Sequence, residues 1–138
     1  MTLNPDLVRS RCAEIEESVQ RLEALAARQP ADFLADQDGL DIACYRLLVA
    51  IEAALALCYH VTARRLRRTP EDYADCFAAL GEAGIIPPDL TERLQRMARF
   101  RNLLVHVYWK IDYRQVHAVL REDLGDLRAF AAAIVALL

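Results

Sequence analysis

The segment from Arg101 to Tyr108 combines side chains that could act together on a phosphodiester bond. Arg101, His106 and Tyr108 follow the pattern R-x4-H-x-Y, and Asn102 lies beside the arginine. Arginine is a fixed cation whose planar donors match phosphate, and histidine can exchange a proton near neutral pH. These residue types at this spacing indicate phosphodiester chemistry that needs no metal ion.

The same segment is predicted to end a helix, and this decides where its side chains point. Successive helical residues rotate by about 100°, so Arg101, Asn102 and His106 are expected on the outward side. Tyr108 is expected about two turns from Arg101 and almost in line with it. The inward side is predicted to consist of four apolar residues, Phe100, Leu103, Leu104 and Val107.

Cleavage of RNA supplies a role for each polar group. The ribose 2′-hydroxyl must lose a proton and attack the adjacent phosphorus, and His106 is the candidate general base or acid. Arg101 would stabilise charge on the phosphoryl oxygens, and Asn102 would orient the histidine or donate to phosphate. One histidine cannot be base and acid in the same step. We therefore predict a homodimer that brings two copies of this helix together at a shared cleft.

Composition and helix signals predict the fold that positions these groups. The 138 residues are 55% hydrophobic with a net charge of −3, which favours one domain, residues 1–138, that is not a general polyanion binder. Caps, prolines and apolar periodicity predict helices that start at Asn4-Pro5, near Asp38 or Asp41, at Thr69-Pro70, at Asp89 and at Asp112. Pro30 should end the first helix, with a short turn around Phe33 before the second. Gly125 should weaken the last helix without ending it. The predicted fold is all-α, an up-and-down bundle of four long helices plus a short one.

Cysteine spacing bears on metal binding, and the N-terminus bears on the cellular location of the protein. The four cysteines form no C-x-x-C pair and no Cys/His cluster with zinc spacing, so we expect free thiols and neither a metal nor another cofactor. The N-terminus lacks an apolar signal core, and the most apolar run, Leu47 to Val61, is interrupted by Glu52 and His60. These features predict a cytoplasmic protein without a membrane partner.

Three segments together resemble a known family over nearly the whole chain. The second predicted helix reads CYRLLVAIEAALALCYHV, the next segment RTPEDYADCFAALGEAGIIP, and the motif helix LTERLQRMARFRNLLVHVYWKID. A bare R-x4-H is weak, but the full element FRNLLVHVYW after the proline-tyrosine-phenylalanine-leucine segment is specific. In these features the chain resembles HEPN-domain proteins, specifically the HepT-like toxins.

The resemblance implies a function and a partner. HepT-like toxins are homodimeric, metal-independent RNases of type VII toxin–antitoxin pairs, and the antitoxin is a minimal nucleotidyltransferase (MNT) that transfers AMP from ATP to the motif tyrosine. Carried over to matching positions, Arg101 and His106 would be catalytic, Asn102 would assist, and Tyr108 would be AMPylated. RNA would be the substrate, and an adduct on Tyr108 would add negative charge and bulk at the RNA site.

Several alternatives stay open at this level. The chain could instead be a non-catalytic HEPN module that binds a nucleotidyltransferase. Glu52 could pair with an arginine across the bundle or point into the dimer cleft. A basic cluster at the end of the second helix could stabilise the helix end or contact RNA; its members are Arg64, Arg65, Arg67 and Arg68. His60 and His117 are expected to be structural or solvent-facing.

Overall fold

The computed structural model describes residues 2–138, and the regular elements in that range are all helical. The α-helices are α1 (Pro5–Ala26), α2 (Pro30–Ala35), α3 (Gln37–Val61), α4 (Tyr73–Glu82), α5 (Pro88–His106), α6 (Tyr113–Glu122) and α7 (Leu124–Val135). A π-helical turn, Thr62–Leu66, follows α3, and a 3-10 turn, Tyr108–Lys110, follows α5. The predicted all-α bundle is confirmed.

The central helix of the bundle is α3. It packs along α1 and also contacts α4, α5, α6 and α7. Small and apolar side chains make this close packing possible, and Leu47, Ala50, Leu57 and Val61 are completely buried. Within the described residues, α3 with its π-helical turn is also the one helical stretch long and apolar enough to cross a membrane, and half of that window is buried. Such burial is typical of a core helix.

The connection between α1 and α3 differs from the prediction. The first helix ends at Ala26, before Pro30, and Pro30 opens the short helix α2 instead of only stopping α1. Proline is favoured at the first position of a helix because its fixed φ suits the first turn and no amide hydrogen is needed there. Phe33, predicted in a turn, lies on α2 and is fully buried.

Two of the predicted helix starts are wrong by a few residues, while two others are confirmed. Asp72 caps α4 in place of Thr69, and its Oδ1 accepts the backbone N–H of Asp75 at 2.8 Å. Asp89 lies inside the first turn of α5, which begins at Pro88, so it does not start the helix. The caps at Asn4 and Asp112 are as predicted. Where several capping residues lie close together, the packing of the helix selects among them.

The predicted fifth helix is two helices. The interruption lies at Asp123, with φ −113° and ψ −7°, and α7 begins at the next residue, Leu124, one position before Gly125. Asp126, in the first turn of α7, accepts a hydrogen bond from Nε of Arg93 on α5 at 2.9 Å. The break lets α6 pack mainly against α1 and α2 while α7 packs against α1, α3 and α5.

Candidate active site at the end of helix α5

The R-x4-H-x-Y element straddles the end of α5. His106 is the last residue of α5, and the chain leaves helical geometry at Val107, with φ −132° and ψ 38°. Tyr108 therefore lies on the following 3-10 turn, and the prediction that it continues the helix in line with Arg101 is wrong. The tyrosine is nevertheless 65% exposed, and its ring meets Trp109 edge to face at 5.3 Å.

Arg101 is mostly buried, in contrast to the outward position predicted for it. Its side chain is only 13% exposed, whereas Asn102 and His106 are exposed as expected. Nε of Arg101 donates to the carboxylate of Glu52, and Nη1 donates to Oδ1 of Asn102 at 3.2 Å. A helical wheel of α5 alone places Arg101 on the side opposite the core-facing residues. In the folded chain, α3 and α4 pack against that side as well.

The inward side of the motif is only partly as predicted. Phe100 and Leu104 are buried, at 7% and 8% exposure. Leu103 and Val107 are intermediate, because the bundle contacts α5 over a narrower arc than the four residues span. The buried pair nevertheless anchors the end of α5 beneath the polar groups.

A cleft lies between α5, the start of α4 and the end of α3. Its volume is about 530 Å³, enough space for a nucleotide-sized group, and we call it the α4–α5 cleft. It brings together three of the predicted site residues, whereas Tyr108 is not among the lining residues. The lining consists of Tyr59, Glu71, Asp72, Tyr73, Ala74, Ala98, Arg99, Arg101, Asn102 and His106.

Sequence reasoning missed the part of the cleft that α3 and α4 contribute. Tyr73 lies with its ring centroid 4.8 Å from Cζ of Arg101, within range of a cation–π interaction. Tyr59 meets the ring of Tyr73 edge to face at 5.9 Å. Tyr73 is spaced with Phe77 and Leu80 in an apolar helical pattern, so its position predicts core packing and carries no signal of a site.

Glu52 pairs with Arg101 across the bundle. The carboxylate is 44% exposed while the guanidinium is 13% exposed, so the pair joins α3 to α5 with its carboxylate side open to solvent. A charged hydrogen bond of this kind also partly neutralises the arginine. The first of the two roles considered for Glu52, pairing across the bundle, is confirmed.

Removing Glu52 should therefore destabilise the fold measurably. We expect Glu52→Ala to lower the free energy of unfolding by about 1–2 kcal/mol, because Arg101 would remain mostly buried without its carboxylate. A matched control is Glu17→Ala on α1, whose partner Arg21 lies at 3.3 Å with both side chains more than half exposed. That change should cost no more than about 0.5 kcal/mol. Urea unfolding of the two variants measures the difference, and equal losses would contradict this assignment.

Three of the four arginines after α3 hold structural contacts. Arg64 donates to the carbonyl of Thr2 at 3.4 Å, and Arg65 to the carbonyl of Leu137 at 2.9 Å. Arg68 pairs with Glu82 at 2.9 Å, and Arg67 adopts the left-handed conformation, with φ 52°. None of the four lines the α4–α5 cleft. These contacts favour the structural explanation over contact with RNA.

His60 and His117 have structural surroundings. Nε2 of His60 accepts the backbone N–H of Asn4 at 2.9 Å, which helps to anchor the start of α1. His117 is 6% exposed, and its ring lies 4.9 Å from that of Phe33. Neither lines the α4–α5 cleft, which leaves His106 as the histidine at the site.

The four thiols are poorly suited to nucleophilic chemistry. Cys58 and Cys76 are fully buried, and burial together with the neighbouring Cys76 raises the pKa of Cys58 far above its ordinary value. Burial also raises the pKa of Cys12 and of Cys44. Residues 2–138 contain no group of three or more His, Cys, Asp or Glu side chains placed to hold a metal ion.

The fold and the cleft define a HEPN-type helical bundle with an R-x4-H-x-Y element, and comparison with known proteins identifies its family. A family model described as ribonuclease HepT-like matches residues 15–134. The chain therefore belongs to the ribonuclease HepT-like family, and the resemblance inferred from its motifs is confirmed.

Individual relatives agree over almost their full length. The chain is 24% identical over 131 residues to the mRNA nuclease HepT of Shewanella oneidensis, covering 95% of this chain and 98% of the relative. The structure of the tri-AMPylated Shewanella oneidensis HEPN toxin in complex with MNT antitoxin matches with a TM-score of 0.88 at 23% identity, covering 96% and 99% of the two chains. A toxin–antitoxin structure with AMP-PNP matches with a TM-score of 0.85 at 22% identity, covering 95% and 99%.

Proposed function

We propose that this ribonuclease toxin is a metal-independent endoribonuclease that works as a homodimer and is neutralised by AMPylation of Tyr108. The observation that carries the proposal is the α4–α5 cleft, where Arg101, Asn102 and His106 line one nucleotide-sized space. Its antitoxin would be a minimal nucleotidyltransferase, and both would act in the cytoplasm, where RNA and ATP are present.

The three residues divide the chemistry of phosphodiester cleavage. His106 takes the proton from the ribose 2′-hydroxyl, and the oxygen attacks phosphorus to give a 2′,3′-cyclic phosphate. The 5′-oxygen leaves and must receive a proton from a second acid. Arg101 stabilises the charge on the phosphoryl oxygens. Because Oδ1 of Asn102 already accepts from Arg101, its amide N–H groups are the part that can donate to phosphate.

A second protomer supplies the missing acid in this scheme. One side of α3 remains outside the core at regular spacing, with Ile42 50% exposed and Tyr45 62% exposed. The same stripe continues through Val49, Glu52, Ala56 and Tyr59, all partly exposed, and it ends at the α4–α5 cleft. A copy of the chain packed on this stripe would cover apolar surface and bring its own His106 toward the shared cleft.

The exposed position of Tyr108 supports its role as the modified residue. A transferase must reach the phenolic oxygen, and the ring lies on a turn outside the helix with 65% of its surface exposed. Tyr108 follows His106 by two residues, so each added AMP places negative charge beside the cleft. That charge competes with the RNA phosphate for Arg101.

Cleavage without metal gives a direct test of the reaction class. We expect the purified protein to cut single-stranded RNA at the same rate in excess EDTA as in magnesium, because histidine and arginine supply the charge and proton transfer. Loss of cleavage in EDTA with recovery on adding magnesium or manganese would overturn the metal-independent mechanism. Absence of cleavage in both conditions would favour the non-catalytic module that binds a nucleotidyltransferase.

A further inference from the structure

The guanidinium of Arg101 lies over the ring of Tyr73, the first residue of α4. Cζ of Arg101 lies 4.8 Å from the centroid of the ring. The same guanidinium donates from Nε to Glu52 and from Nη1 to Asn102. Arg101 is therefore held by hydrogen bonds at Nε and Nη1 and by an aromatic ring next to its Cζ.

The ring of Tyr73 is itself held in place. Tyr59 packs against it at 5.9 Å with an angle of 82° between the ring planes. The backbone of Tyr73 lies in the first turn of α4, where the side chain of Asp72 accepts the N–H of Asp75 as the helix cap. Tyr73 therefore forms a fixed wall of the α4–α5 cleft.

The orientation of the guanidinium plane requires more than the contact with Glu52. A guanidinium bonded through Nε can still pivot about the N–H···O direction when the methylene chain changes rotamer and carries Cδ with it, and this pivoting changes where its Nη atoms point. Asn102 limits this rotation only weakly, because it is exposed and bonds at 3.2 Å. A flat cation stacked on an aromatic face loses both the cation–π and the dispersion contact when it turns away.

We propose that Tyr73 is a positioning residue that sets the plane of the Arg101 guanidinium and aims its remaining N–H groups at the phosphate. This inference rests on the proposed ribonuclease function of the cleft. Arginine recognises phosphoryl oxygens through a planar fork, so an error in the plane weakens the contact to the charge that grows in the transition state. The net positive charge that attracts RNA is unchanged by such an error.

The consequence is a selective loss of catalytic rate. We expect Tyr73→Leu, which removes the ring but stays apolar, to lower kcat by about 10- to 100-fold, the size typical of a misplaced catalytic group. KM should stay within about threefold of wild type, since phosphate attraction persists. Tyr73→Phe keeps the aromatic face and should restore near wild-type kcat. Tyr113→Leu is the matched control, because Tyr113 is also partly buried but does not line the cleft.

The NMR shift of the Arg101 Nε–H tests the contact between Tyr73 and Arg101 independently of RNA cleavage. The Nε–H of Arg101, assigned in ¹⁵N-labelled protein by its disappearance in Arg101→Lys, should carry the ring-current shift of Tyr73. The shift should persist in Tyr73→Phe and vanish in Tyr73→Leu, whether or not the wild type cleaves RNA. Tyr73→Met replaces the leucine variant in both measurements if the latter fails to give a cooperative melting transition.

The outcomes distinguish the two levels of inference. A kcat loss restored by Tyr73→Phe, together with the lost Nε–H shift, supports the positioning role. Unchanged kcat in Tyr73→Leu, or a rise in KM alone, overturns it, the latter showing that the ring contacts substrate instead. If the wild type cuts no RNA but the Nε–H shift follows the ring, the packing of Tyr73 on Arg101 stands and the catalytic part of both proposals falls.

Discussion

Replacing His106 with alanine should lower the rate of RNA cleavage by about 10²- to 10⁴-fold, the contribution typical of a general acid or base. His106 is exposed at the end of α5, so the fold should persist and the melting temperature should change little. Arg101→Lys should also reduce the rate strongly, because lysine retains the charge but not the planar fork. Single-turnover cleavage of an end-labelled RNA, with RNA integrity followed during expression in bacteria, measures both effects.

His60→Ala is the matched control for the histidine. His60 is another partly accessible histidine, but it accepts the N–H of Asn4 and does not line the α4–α5 cleft. Its replacement should leave the rate near wild type while lowering stability modestly. Equal toxicity and equal cleavage from the wild type, His106→Ala and Arg101→Lys would exclude the catalytic assignment.

A mixed dimer tests whether the cleft is shared. Co-expression of wild-type and His106→Ala chains with different affinity tags allows the heterodimer to be purified. If each reaction uses one His106 as base and the other as acid, the activity of the heterodimer should be close to that of the homodimer in which both chains carry His106→Ala. Half of the wild-type activity would instead show that each protomer cleaves independently, and a purely monomeric protein at assay concentration would remove the shared cleft.

AMPylation should abolish RNA cleavage by the wild type but not by Tyr108→Phe. With a minimal nucleotidyltransferase and ATP, we expect intact-protein mass spectrometry to show one or more AMP-sized increases and RNA cleavage to fall to background. The physical reason is that phosphate charge on Tyr108, two residues after the cleft-lining His106, is expected to repel the RNA backbone. Tyr108→Phe keeps the ring against Trp109 but lacks the acceptor oxygen. It should therefore remain active and unmodified.

Tyr45→Phe provides the control for accessibility. In the single protomer Tyr45 is 62% exposed against 65% for Tyr108, so exposure alone would make it an equally good target before the proposed dimer covers it. Modification of Tyr45→Phe at the wild-type level would confirm that the transferase selects the motif tyrosine. A mass increase that persists in Tyr108→Phe, or neutralisation without any mass increase, would remove Tyr108 as the switch.

Much of this molecule could be predicted from local sequence because its signals are local. The cap at Asn4, followed by proline, opens α1 as expected, and Asn4 Oδ1 accepts the N–H groups of Asp6 and Leu7. The all-α class and the enclosure of α3 follow from the same kind of periodicity. The errors in helix starts arose where neighbouring residues could serve equally well as caps, as at Thr69 and Asp72, because long-range packing then chooses the boundary.

The types and order of the reactive groups in R-x4-H-x-Y, and their place at the end of a helix, were readable without any structure. What those groups contact was not. Arg101 meets Glu52 from a position 49 residues away and Tyr73 from another helix, so its burial depends on three helices packing at one point. Helical periodicity only separates the core-facing side of one helix from its outer side. It does not indicate which other helices pack against that outer side. An arginine that helical periodicity predicts to be exposed is therefore mostly buried in the folded chain. It is fixed by contacts with its neighbours and faces a cleft formed by three separate segments.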